Sequence, residues 1–270
     1  MKNIVKRIVI FILFNFGFIS KILRFSITYI YKISKNLNYD IYTNGEALVL
    51  KRISSLKLGI IFDVGANQGE WAKMVSEISN SSNIYSFEIV PKTFLKLQNL
   101  TKNSDKINTY NFGLSNLTGK VTINFSDEDD KLSSLVAGKE IHNINWEKID
   151  CDVMRGDDFC VQNKIESIDF LKIDTEGSEN LVLEGFDEMF KNNKIGIVQF
   201  EYGMTNIYSK FLLIDFYKYF QKYNFKVGKI MPNGVDFSDY NPDLEDFIGP
   251  NFIAVNQNFP EVIKLLSIKK

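Results

Sequence analysis

The chain has 270 residues, 45% of them hydrophobic and 24% charged, which suits one large α/β domain or two small ones and excludes a disordered chain. A core of that size needs no covalent staples, and Cys151 and Cys160, the only cysteines, match neither a CxxC pair nor a zinc knuckle. With 32 basic and 33 acidic residues the net charge is −1, which gives no case for a general nucleic-acid binder.

That average hides a division. Residues 1–39 hold seven basic side chains, Lys2, Lys6, Arg7, Lys21, Arg24, Lys32 and Lys35, and the first acid is Asp40. The remainder has 25 basic and 33 acidic groups, so a +7 segment precedes a −8 body. Residues 8–20 are apolar all round apart from Asn15 and Ser20. The pattern then turns amphipathic, with Ser20, Arg24, Thr28 and Lys32 on one i,i+4 stripe. No small-x-small site follows, which argues against a cleaved signal peptide. The uninterrupted apolar run is about 12 residues, against the ~20 that cross a bilayer core. Two readings stay open for this 1–40 extension. Residues 1–35 could lie as helix on the anionic inner leaflet of the membrane, or pack on the domain or on a second copy in a homo-oligomer. Both keep the 41–270 body in the cytoplasm.

From Gly59 onward strands and helices alternate. Residues 60–64 read as a strand, 68–79 as a helix and 83–90 as a second strand, after which Pro91 opens a helix with apolar Phe94, Leu95, Leu97 and Leu100. Residues 107–112 and 120–125 are further strands, and 149–154 is placed to pair with the latter. The buried-strand run IDFLKI at 168–173 precedes a helix from about Ser178. Strand 195–200, helix 209–223, and strands 225–230 and 252–255 complete the chain. This alternation predicts βαβ units in a parallel, doubly wound sheet, and one domain beyond the extension.

Residues 60–71, IIFDVGANQGEW, put a glycine loop between a strand and a helix. Gly65 suits a tight turn, and Gly69 would let a ligand approach the helix start, where unpaired N–H groups favour an anion. Glu88, nineteen residues beyond Gly69, ends the second strand and can accept hydrogen bonds from ribose hydroxyls. A dinucleotide site would show G-x-G-x-x-G. The D-x-G-x-x-x-G found here, with Asp63 near a cofactor amino group, favours S-adenosylmethionine over a pyrophosphate cofactor.

A second constellation follows. Asp174, Glu176 and Glu179 surround the carboxyl end of strand 168–173, Glu201 lies at the same end of the next strand, and Lys172 shares a strand face with Asp174. Carboxylates this close need a shared proton, a cation or a basic partner. They could orient acceptor hydroxyls by hydrogen bonds, with Asp174 and Glu176 touching the acceptor and one carboxylate serving as general base, hold a divalent cation such as Mg²⁺ through oxygen ligands, or cap the next helix and pair with Lys172. His142, the only histidine, and the acidic run 127–130 read as solvated loop. Asp157 and Asp158 read as helix-capping residues, and Trp71, Phe211, Leu212, Phe216 and Phe220 as packing.

FDVGANQGEW, FEIVP, NFGLSNLTGKV, KLSSL and LKIDTEGSENLVLEGF followed by QFEYG together resemble the FkbM-like S-adenosylmethionine-dependent methyltransferases, in order and spacing from Ile60 to Gly203. The resemblance implies a class I, Rossmann-like methyltransferase fold with a seven-stranded, mostly parallel sheet, and methylation of a sugar or polyketide hydroxyl. It implies a cofactor set of Asp63, Gly65, Asn67, Gly69 and Glu88, with Asn111 and Gly113 near the adenine and Ser133 and Ser134 on the acceptor side. It says nothing of residues 1–40. The expected activity is O-methyl transfer to a glycan or secondary-product hydroxyl, with Asp174, Glu176 and Glu201 as the catalytic group. The rivals are a non-catalytic binding module of this fold and a nicotinamide-dependent oxidoreductase.

Overall fold

The computed structural model describes residues 2–79, 82–126 and 145–269. In chain order they form α1 (Lys2–Asn15), α2 (Gly17–Ser34), α3 (Glu46–Ile53), β1 (Ile60–Val64), α4 (Glu70–Ile78), β2 (Asn83–Phe87), α5 (Pro91–Thr101), β3 (Ile107–Tyr110), β4 (Gly113–Ser115), β5 (Gly119–Phe125) and β6 (Glu147–Arg155). There follow α6 (Gly156–Gln162), β7 (Ile168–Ile173), α7 (Glu179–Gly185), α8 (Asp187–Lys191), β8 (Ile195–Glu201), α9 (Asn206–Ser209), α10 (Leu213–Lys222), β9 (Phe225–Met231), β10 (Gly234–Asp236), β11 (Asn251–Asn256) and α11 (Pro260–Leu266).

The main sheet has the order β3-β2-β1-β7-β8-β11-β9-β10. From β3 to β8 neighbouring strands run parallel, and β11 enters antiparallel between β8 and β9. The expected seven strands become eight because the chain reverses after Met231 and, through Gly234 at φ +144°, adds β10 against β9. The expected pairing of 120–125 with 149–154 forms, Val121 opposite Cys151, but it lies outside the main sheet, in a separate three-stranded sheet β4-β6-β5.

Strands covered on both faces must be apolar on both. One face buries Phe62, Phe87, Phe159, Phe186, Phe200 and Phe216. The other buries Ile61, Phe170, Ile197, Leu50, Trp71 and Val75 beneath α3 and α4. Each such side chain contributes roughly 1.5–3 kcal/mol by leaving water.

The second face carries a change of chemistry toward the strand ends. Ile84, Ile61, Phe170 and Ile197 lie side by side across β2, β1, β7 and β8. Two residues on, the same register gives Ser86, Asp63, Lys172 and Gln199, all buried. Two further on come Glu88, Gly65, Asp174 and Glu201. Since side chains alternate along a strand, this period of two stacks an apolar row, a buried polar row and a row at the carboxyl edge.

Helices α1 and α2 stand apart from this body, bent by 116° at Phe16. The chain joins the body at Lys35 and Asn36. The Asn36 side chain is buried and donates to the carbonyls of Asn44 (2.7 Å) and Ile230 (3.0 Å), and Lys35 pairs with Asp246 at 3.1 Å.

Candidate active site

A cavity of about 700 Å³ opens over the carboxyl ends of β1, β2, β7 and β8. The small sheet walls it through Gly113, Ile123 and Val153, and Tyr39 and Tyr208 contribute on another side. Its lining holds six carboxyl side chains, Glu46, Glu70, Glu88, Asp174, Glu176 and Glu201, and among the described residues one cation, Lys172.

The loop after β1 is folded by its own backbone. Gly65 has φ +79°, and a β-carbon there would overlap the carbonyl oxygen of Asp174, so β1 and β7 approach closely only with glycine at this position. Asn67 also takes the left-handed region, at φ +47°. The loop N–H groups are engaged within the protein. Gly65 and Ala66 donate to Phe87 O, Asn67 to Glu88 Oε2 at 2.9 Å, Gln68 to Asn67 Oδ1 at 2.7 Å, and Gly69 to Ala66 O. The anion-binding N–H cluster expected here is therefore already engaged. Gly69 is displaced from its expected role as well: its φ is +91°, and the space a β-carbon would take is filled by Leu97 Cδ1 at 2.6 Å. It lets α4 and α5 pack rather than lining the cavity.

Glu88 is 6% exposed at the cavity wall and accepts from Asn67 N and from Val90 N at 2.8 Å. Burial pushes its carboxyl up to about 7, against the partial compensation of those two N–H groups. A carboxylate has about four acceptor sites, so capacity remains for hydroxyl donors. Asn111 lies behind it, its amide donating to Glu88 O at 2.9 Å, and positions the β2 end rather than lining the cavity. Gly113 does line it, against Ile89 and Val153.

Asp63 is placed differently from expectation. It is fully buried beneath the cavity, and its Oδ1 accepts from Lys172 Nζ at 3.2 Å. Lys172 also reaches Asp174 Oδ2 at 3.1 Å and lies 5.6 Å from the Trp71 ring centre. Burial pulls the Lys172 ammonium down, but Asp174, Asp63 and Glu46 outweigh it and hold the group above the ordinary lysine value. Burial raises the Asp63 carboxyl, with Lys172 opposing.

Asp174, Glu176 and Glu201 come together, with one carboxylate oxygen from each within 4.8 Å of the others. Burial, then Glu176, Asp174 and Glu179, drive the Glu201 carboxyl well above the ordinary range. Glu176 sits at φ +52°, a conformation that costs about 1–3 kcal/mol in a non-glycine residue unless the surroundings impose it. Glu179 does the imposing. It is buried, and its Oε1 accepts from Thr175 N (2.9 Å), Thr175 Oγ1 (3.0 Å) and Gly177 N (3.1 Å). Glu179 thus closes the loop that presents Glu176.

The sequence reading missed Glu46, which is 3% exposed. It accepts from Asn44 (2.6 Å), Gln199 (2.6 Å) and Asn251 (2.9 Å), closing the polar row beneath the cavity. Its local pattern, an acid opening a helix, carries no sign of this. Asp157 caps α8 rather than its own helix, accepting from Glu188 N and Met189 N at 3.1 Å each. Trp71, Phe216 and Phe220 are buried as packing residues. Ser133, Ser134, His142 and the run 127–130 lie outside the described residues.

Residues 63–227 match the family described as the methyltransferase FkbM domain. The chain is 23% identical over 160 residues to the 2-O-methyltransferase NoeI of Sinorhizobium fredii, covering 55% of this chain and 65% of that protein. It is 26% identical over 150 residues to the hexuronic acid methyltransferase AglP of Haloferax volcanii, covering 54% and 57%. The chain therefore matches less than two thirds of the length of either relative. Among solved structures, fibrillarin of Aeropyrum pernix with bound S-adenosyl-L-methionine covers 74% of this chain and 66% of that one, at 11% identity and a TM-score of 0.39.

Proposed function

The chain belongs to the methyltransferase FkbM family, and from that premise we propose that it is an S-adenosylmethionine-dependent O-methyltransferase acting on a hydroxyl of a glycan-type acceptor. The two relatives, a 2-O-methyltransferase and a hexuronic acid methyltransferase, support an oxygen nucleophile and a sugar acceptor.

The observation that carries the reading is the charge of the cavity. The lining has six carboxyl groups to one cation, and although burial raises Glu46, Glu88 and Glu201, that balance suits a ligand with positive sulfonium and ammonium groups rather than a pyrophosphate. The engaged N–H groups of 65–69 point the same way, since a dinucleotide needs bare backbone donors there. The nicotinamide reading has no support at this loop.

The residues present fit S-adenosylmethionine, which when bound supplies an electrophilic methyl group on sulfur. Glu88 offers its remaining acceptor capacity to ribose hydroxyls. Asp63, buried below the cavity, does not reach an amino group held in it. Lys172 remains charged and fixes Asp174 from beneath. Asp174 and Glu176 orient the acceptor hydroxyl by accepting hydrogen bonds. The Glu201 carboxyl, raised by burial and its neighbours, is the group that would receive the hydroxyl proton once ionised, while the methyl–sulfur bond of a bound donor would break in favour of the methyl–oxygen bond. Holding the reacting atoms in line is the other contribution, which the rigid strand ends provide. A divalent cation among Asp174, Glu176 and Glu201 is the second way to activate the hydroxyl. Activity after exhaustive chelation separates the two: the base reading requires it to persist, and loss restored by Mg²⁺ would replace that reading with the cation.

Calorimetric titration tests the cofactor. S-adenosylhomocysteine should bind and NADH should not, and the reverse would overturn the reading. A non-catalytic module would bind S-adenosylhomocysteine yet transfer no methyl group to any saccharide supplied.

A further inference from the structure

Helices α1 and α2 expose an apolar surface that water alone does not explain. Eighteen of the thirty large hydrophobic side chains exposed among the described residues belong to this pair and the break at Phe16 between them, including Phe14 at 75%, Phe18 at 79%, Phe25 at 71% and Ile30 at 66%. Monomers rarely show contiguous apolar surface beyond a few hundred Å² without a partner for it.

The arrangement of the pair sharpens the point. The first half of the polar stripe of α2 turns toward α1: Ser20 is the buried residue of α2, and the Arg24 guanidinium lies 5.8 Å from the Phe14 ring centre. The apolar side of α2 is thereby left facing outward. The hairpin carries Lys2, Lys6, Arg7, Lys21, Arg24 and Lys32, with no acid nearer in sequence than Asp40. No single described helix is long and apolar enough to cross a membrane, and the two are bent by 116°.

We infer that the α1–α2 hairpin docks this protein on an anionic lipid surface, with its apolar side chains in the acyl boundary and its six cations among the headgroups. Charge selects this occupant. Two hairpins packed face to face would set six cations against six, with no acid between them. The acidic body of another copy matches the charge, but its exposed large hydrophobics, among them Leu56, Leu117, Val161 and Phe259, are spread along its sequence rather than gathered on one helix pair.

The hairpin is also fixed to the body rather than tethered. A β-carbon at Gly249 would overlap the carbonyl of Lys35, Asn36 is held by two hydrogen bonds, and Lys35 pairs with Asp246. Phe247, Gly249 and Pro250 of that same segment line the cavity, as does Tyr39 just beyond the junction. Docking therefore sets the cavity wall close to the lipid surface.

The test is flotation of the full chain with vesicles of phosphatidylcholine alone or with phosphatidylglycerol added. The full chain should float with the anionic vesicles and be released as salt rises. Phe18→Ser/Phe25→Ser/Ile30→Ser and, separately, Lys2→Gln/Lys6→Gln/Arg7→Gln should each weaken partition by roughly tenfold or more. Binding of S-adenosylhomocysteine, measured on each variant, shows that the body remains folded and keeps this test independent of the proposed chemistry. Unchanged partition in both variants would overturn the inference. So would failure of the full chain to float, including the case where it forms a dimer that the serine variant dissociates.

Discussion

Lys172 Nζ stands 3.2 Å from Asp63 Oδ1 and 3.1 Å from Asp174 Oδ2, so one ammonium ties a fully buried acid to an acid of the cavity. Asp63 and Lys172 are direct neighbours in the β1–β7 register, and Asp174 follows one pleat further on. Removing the lysine leaves a buried carboxylate without its counter-charge. Lys172→Met should lower stability in urea unfolding by roughly 3–5 kcal/mol, whereas Asp63→Asn/Lys172→Met should lose less than the single change. Equal or greater loss in the double variant would contradict this electrostatic account.

Glu88 provides a pH signature. Its carboxyl is raised from 4.5 to about 7 in the folded chain, so the fold binds this proton more tightly than the unfolded chain does. The contribution is therefore stabilising below the unfolded value and is lost as pH rises through about 7, by up to about 3 kcal/mol. Cofactor affinity should run oppositely, rising with pH as the ionised form becomes available to ribose hydroxyls. Glu88→Gln should weaken S-adenosylhomocysteine by about tenfold or more and flatten both profiles, in calorimetry and urea unfolding between pH 5 and 8.

Asp174→Asn and Glu201→Gln should separate chemistry from cofactor binding. Each should lower kcat by about a hundredfold while the Kd for S-adenosylhomocysteine moves less than about threefold. In the parent protein kcat should rise with pH as Glu201 ionises, and Glu201→Gln should remove that limb. Full activity in Asp174→Asn would dismiss the acceptor role given to it.

The two loop glycines should behave differently, although both have positive φ. Gly65→Ala forces a β-carbon onto the Asp174 carbonyl and should abolish S-adenosylhomocysteine binding along with much of the stability. Gly69→Ala meets Leu97 on α5, and should cost about 1–3 kcal/mol of stability with little change in affinity per folded molecule. Chemical denaturation paired with calorimetry distinguishes them.

Local patterns in the sequence were sufficient for the strand–loop–helix at 60–71, for Glu88 at the next strand end and for the convergence of Asp174, Glu176 and Glu201. Each depends on spacing within a short segment or on the rule that ligands gather at carboxyl ends. Glu46 depends on neither, because Gln199 and Asn251 lie 153 and 205 positions away and only the sheet order brings them beneath it. Gly69 and Asn111 were legible as loop residues, but their partners, Leu97 and the Glu88 carbonyl, are tertiary contacts. The count of strands failed at β10, a three-residue strand added by a hairpin and too short to show a period of its own.

The most direct measurement of the central claim is transfer of isotopically labelled methyl from S-adenosylmethionine to a panel of saccharides containing hexuronic acids, read by mass spectrometry. The account predicts S-adenosylhomocysteine formation matched by one added methyl on a sugar hydroxyl oxygen, lost in Asp174→Asn. Binding of S-adenosylmethionine with no transfer across the panel, or a methyl group found on nitrogen or carbon, would contradict it.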